Sequence, residues 1–188
     1  MCLFLLSCTP QQETEYKPVE FDVNQELLYI APTSSDLPFT IQMPTIMQNA
    51  DSLTFANYYS AIAADTGAYI DLELENLFAT DNGAVVMISR LVNLADSVLV
   101  MEPDYIDQLK TTFQTDSVQR DKIYVNGIRA VQFIITSASY VNFKLFLILE
   151  NSQVQVDYFI PVTLYQDLIE HIQSSIGSII PKLTKERK

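Results

Sequence analysis

The residues able to do chemistry are few and scattered. His171 is the single histidine of the 188-residue chain, so a site built on several imidazoles is excluded. It sits beside Glu170 and one helical turn from Asp167, which could orient it as a proton acceptor. No Ser, Cys or Lys is identifiable as its nucleophilic partner, and a lone histidine on an amphipathic helix reads first as a packing or surface residue. Glu102, Asp104 and Asp107 crowd the start of an expected helix and could offer oxygens to a hard cation such as calcium. Their spacing lacks the loop of an EF-hand, and the helix dipole already explains acids in a first turn. No metal site is therefore expected, with these three as the alternative. Asp71, Glu73, Glu75 and Asp157 would support hydrolysis only as a buried pair with one raised pKa. Gly67, Gly83, Gly127 and Gly177 are the only glycines, each at an expected turn or helix end, which leaves no phosphate-cradling loop. Both cysteines, Cys2 and Cys8, fall in the first eight positions, so the body has no thiolate site or disulfide. No catalytic residue and no cofactor are expected. Tyr58, Tyr59 and Tyr69 cluster near one hairpin and form a candidate partner-binding patch, half-buried strand tyrosines being the plainer reading.

The elements that must position these residues are legible from periodicity. Phe39-Thr40-Ile41-Gln42-Met43 alternates between Pro38 and Pro44 and predicts a short strand. Asp65-Thr66-Gly67 predicts a hairpin between 58–64 and 68–78, in which Ile70, Leu72 and Leu74 face the core and Asp71, Glu73 and Glu75 face water. Ala84 to Val92 is apolar on both faces and reads as a covered strand, with a helix as the alternative. Pro103, Ile106, Leu109 and Phe113 predict a helix over 103–114. Asn126-Gly127 is the strongest turn signal, joining 122–125 to 128–137. Phe143, Leu145, Leu147 and Leu149 share a strand face, and after Asn151-Ser152 so do Val154, Val156, Tyr158 and Ile160. Leu164, Leu168, Ile169, Ile172 and Ile176 predict a closing helix packed on the sheet, with Gly177 at its C-terminal cap.

Hydrophobic residues make up 48% of the chain and aromatics 11%, ample for a core without staples. The net charge of -12 repels nucleic acid and an anionic leaflet alike, so nucleic-acid binding is excluded. No internal repeat is present. The expected organisation is an N-terminal remnant over 1–8, a polar tether over 9–36, one α+β domain over 37–181 and a basic tail over 182–188.

Leu5-Leu6-Ser7-Cys8 resembles the lipobox of bacterial lipoprotein signal peptides, which implies that Cys8 becomes a lipidated first residue. The segment departs from that pattern in having no Lys or Arg and a short apolar run. The alternative is a cytoplasmic protein whose first residues happen to be apolar. The order of elements from Val125 to Ile180, with Asn126-Gly127-Ile128, Tyr158-Phe159-Ile160-Pro161 and Tyr165-Gln166-Asp167-Leu168-Ile169, resembles the C-terminal half of Mog/PsbP-like domains. Phe39-Thr40-Ile41-Gln42-Met43-Pro44 resembles their entry strand. The resemblance implies a central antiparallel sheet flanked by helices, an α/β/α sandwich, and a binding module rather than an enzyme. With the lipobox-like start, the chain resembles envelope lipoproteins of Bacteroidetes-type bacteria. The expected function is a non-enzymatic, lipid-anchored envelope protein with a protein partner, touching the membrane through its anchor only. A small-ligand or cation-binding module is the alternative.

Overall fold

A computed structural model describes residues 16–51, 72–92, 102–150 and 152–182. Among these, long strands β6 (Leu72–Ala79), β7 (Val85–Leu91), β8 (Val118–Val125), β9 (Ile128–Thr136), β10 (Tyr140–Leu149) and β11 (Ser152–Pro161) form most of one sheet. Two-residue strands β1 (Lys17–Pro18) and β5 (Gln48–Asn49) complete it, in the order β1-β8-β9-β10-β11-β7-β6-β5. Every pairing is antiparallel except that of β1 with β8. Helix α1 (Glu102–Phe113) lays Tyr105 and Leu109 on Val131, Phe133, Ile135 and Phe146, while helix α2 (Tyr165–Gly177) lays Leu168, Ile172 and Ile176 on the opposite sheet face. The α+β class and the two flanking helices thus follow the sequence pattern.

Local chemistry explains the best-read elements. Asn126 and Gly127 both have positive φ, 46° and 83°, as the tight turn of a two-residue hairpin requires. Asn126 does a second job: its Nδ2 donates to the carbonyls of Gly177 and Ile179, at 2.7 and 2.8 Å, tying the hairpin tip to the end of α2. β7 is buried on both faces apart from half-buried Arg90, which resolves the strand-or-helix ambiguity of that apolar run.

Three expectations are corrected. Residues 39–44 are not one strand of the main sheet. β3 (Phe39–Thr40) pairs with β12 (Ile180–Pro181), and β4 (Met43–Pro44) pairs with β2 (Leu28–Tyr29). Phe39, Ile41 and Met43 are buried as the alternation requires, but the Gln42 backbone between them is claimed by helix-end serines. Its N–H donates to Ser178 Oγ at 2.8 Å, and its carbonyl accepts from Ser175 Oγ at 2.7 Å. The tether expected over 9–36 ends earlier, because β1 joins the sheet, Leu28 and Ala31 are buried, and Phe21 packs against the core. Gly177 lies within α2, with no left-handed φ, because the crossing segment at Phe21 and Val23 leaves no room for a side chain.

The hairpin expected around Asp65-Thr66-Gly67 lies outside the described residues except for its last strand. There, the register slips between Leu74 and Asn76, a bulge at Glu75. Glu73 stays exposed, but Glu75 is turned toward Arg90, 2.7 Å away, and is not a wet-face carboxylate.

Tyr158 anchors the α2 face. Fully buried, its hydroxyl lies 3.1 Å from Ser175 Oγ, which spends its own proton on the Gln42 carbonyl, so the phenol is the donor. Burial holds its pKa well above the usual phenol value. The native state therefore keeps a proton that the unfolded chain releases near pH 10. Stability from this group is complete below that pH and declines as pH rises above it. In urea unfolding between pH 8 and 11.5, Tyr158→Phe should show a shallower alkaline decline than the native chain. An unchanged slope would refute the assignment.

Candidate functional site

The expected site residues that the structure describes do not converge on one site. Cys8, Tyr58, Tyr59, Tyr69 and Asp71 lie outside the described residues. Asp104 and Asp107 are exposed on α1, and Asp107 Oδ1 is 4.0 Å from Lys110 Nζ rather than turned toward Asp104. Among the described residues, no three His, Cys, Asp or Glu side chains converge as a cation site, and Glu102 is described by its backbone alone. His171 is half-buried with its Nδ1 unpartnered, and Glu170 accepts from Asn24 Nδ2 at 3.1 Å.

Asp157 is buried, but its partner is a cation. On the α1 face, Lys144 of β10 stands directly across from Asp157 of β11, and its ammonium binds Asp157 Oδ2. Gln155 Nε2 donates to the same oxygen at 2.9 Å, and Asn142 Nδ2 donates to Asp157 Oδ1 and to the Tyr158 carbonyl. All four side chains are buried, with Ser89 across from Gln155. Asn142, Gln155 and the Lys144 ammonium occupy the carboxylate, which is buried out of reach of solvent, and among the described residues none of its partners is a second carboxylate. Asp157 thus pairs with a cation rather than with a second carboxylate of the kind the hydrolase alternative requires. The carbonyl oxygens of Asn142 and Gln155 accept nothing, which makes the cluster costly and its register-setting role the physical reason to keep it.

One end of the sheet carries an aromatic rim that periodicity did not single out. The Phe159 ring stacks on Phe113 of α1 at 5.7 Å and meets Tyr140 edge-on at 6.1 Å. Tyr140 and Val162 are 42% and 44% exposed, large apolar side chains presented to solvent together. The neighbouring strand ends frame a depression of about 410 Å³ lined by Ile46, Asn49, Ala50, Thr80, Asp81 and Gly83. The signal that could have found this rim is the position of Tyr140 and Phe159 at strand ends, where α1 reaches Phe159 only through its last residue, Phe113. It offers flat apolar contact area and a single carboxylate, which suits recognition of a surface better than bond-making.

No protein-family model matches the chain, and no characterised protein sequence is significantly similar to it. Among solved structures, it is similar to the solution structure of cyanobacterial PsbP (CyanoP) from Synechocystis sp. PCC 6803, with a TM-score of 0.48 at 7% identity, over 80% of this chain and 91% of that one. It is also similar to a crystal structure of a protein from Bacteroides thetaiotaomicron VPI-5482, with a TM-score of 0.37 at 11% identity, over 86% of this chain and 49% of that one.

Proposed function

We propose that this chain is a non-enzymatic bacterial envelope lipoprotein, anchored through Cys8, whose Mog/PsbP-like domain binds another protein or helps organise an envelope assembly. The observation that carries the reading is the rim of exposed Tyr140 and Val162 beside half-buried Phe159, an apolar face of the kind a partner covers. The lipobox-like Leu5-Leu6-Ser7-Cys8 supports the anchor and the location. A small-ligand module is the second reading, favoured by the depression beside Asp81.

Native mass spectrometry of the protein extracted from its own envelope tests the proposal. The expected result is a diacylglyceryl mass on Cys8 and a stoichiometric protein companion, the companion being lost from a folded Tyr140→Glu, Val162→Glu variant. An unmodified chain in the soluble fraction overturns the anchor. A companion that survives both substitutions overturns the rim, and a retained small molecule with no companion selects the second reading.

A further inference from the structure

The chain is strongly acidic, yet three of its 11 Lys and Arg residues converge at one corner of the sheet. Arg120, Lys122 and Tyr124 follow one another on the α1-facing side of β8, and Arg129 of β9 pairs directly across from Tyr124. Tyr16 packs over this corner. Its ring lies 5.4 Å from that of Tyr124, with Lys122 Nζ 5.9 Å above it. The Tyr16 hydroxyl is buried without a hydrogen-bond partner, and the charges of Arg120 and Arg129 act on it. Asp121 belongs to the opposite sheet face, where it accepts from Gln119 at 2.7 Å, and its charge acts on Arg120 rather than on Tyr16. Lys122 and Arg129 beside an unsatisfied hydroxyl donor fit an anionic oxygen. Tyr124 and Arg129 remain exposed, so the corner is open to one.

Its position says which anion. Tyr16 is eight residues after Cys8, a step of at most about 28 Å when fully extended. A domain anchored at Cys8 therefore holds this corner within reach of the bilayer surface, while the acidic remainder is repelled by it. Register places the aromatic rim at the other end. Arg129 pairs with Ile148, whereas Thr136 pairs with Val141, next to the Asn142–Phe159 pair. Seven residues of β9 separate the two ends, about 24 Å.

We infer that the Tyr16–Lys122–Arg129 corner docks on anionic lipid headgroups and so turns the aromatic rim away from the membrane, toward a partner. This inference rests on the anchored reading proposed above. The test separates the two by supplying the anchor artificially: the full-length Cys2→Ser chain is coupled at Cys8 to a maleimide lipid in vesicles. Hydrogen exchange of residues 118–131 is then compared between pure phosphatidylcholine and phosphatidylcholine with phosphatidylglycerol. Exchange should slow at least several-fold only with phosphatidylglycerol, and the effect should vanish in high salt. Each of Lys122→Gln and Arg129→Gln should reduce docking about fivefold, and Tyr16→Phe should weaken it while leaving the fold intact. Equal exchange on both vesicles overturns the inference even if native Cys8 proves acylated. Equal protection by inorganic phosphate without vesicles also overturns it, showing a free-anion site.

Discussion

Replacing Lys144 with methionine is expected to destabilise the domain by about 3–5 kcal/mol, the cost of leaving one charge of a buried pair uncompensated. The replacement keeps the length and packing of the stem, so the loss isolates the ammonium. Asp157 would retain the amide donors of Asn142 and Gln155, but its surroundings admit almost no solvent to replace the missing charge. For a chain of this size, the fall corresponds to roughly 6–20 °C in melting temperature. The double variant Lys144→Met, Asp157→Leu should recover at least half of the loss, because removing both charges removes the desolvation penalty as well. It should not recover all of it, since the Gln155 amide would lose its acceptor. Urea unfolding with an unchanged m-value is the measurement. A single variant within about 1 kcal/mol of the native chain would show that the pair contributes nothing net, contrary to its burial.

That pair also shows how a fold can be legible while its most consequential contact is not. Alternation correctly assigns Phe143, Leu145 and Leu147 to one face and leaves Asn142, Lys144 and Phe146 on the other. A turn placed at Asn151-Ser152 would set Lys144 across from Phe159. The strands in fact close with Leu149 across from Ser152, one residue earlier, which moves the partner by two and delivers Asp157. Turn geometry fixes register, and the sequence offers no Gly at that tip to mark it. Asn126-Gly127 carries its conformational signature in its residue types, so its register was readable. The bulge at Glu75 left no composition signal, and the rim at Tyr140 depends on what the helices fail to cover. Long-range contacts of this kind arise from packing between elements distant in sequence, where periodicity is silent. The basic corner is hidden for the same reason, since Tyr16 and Arg129 meet only through the parallel pairing of β1 with β8.

Gly177→Val should cost at least about 3 kcal/mol, and Gly177→Ala about 1–2 kcal/mol, although helix propensity alone predicts that alanine would stabilise by about 1 kcal/mol. The sign turns on the crossing segment. A Cβ at this position would stand 2.5 Å from Phe21 Cβ and 2.6 Å from Val23 Cγ2. A valine methyl can rotate away, but Phe21 Cβ is fixed to its backbone, so residues 21–24 must lift as a unit. Lifting them breaks the bond from the Asn24 N–H to Ser174 Oγ, 3.1 Å, and pulls Phe21 from the core. The added methyls of valine turn a tight contact into one the segment cannot keep. Both variants should therefore lower the unfolding midpoint and speed hydrogen exchange at residues 19–24, valine more than alanine. Exchange in the β9–β10 ladder should change only in proportion to global stability, because its backbone hydrogen bonds run between the two strands and not to the segment. An alanine variant more stable than the native chain would mean that the N-terminal crossing yields freely, and that glycine is retained at 177 for some reason other than close approach.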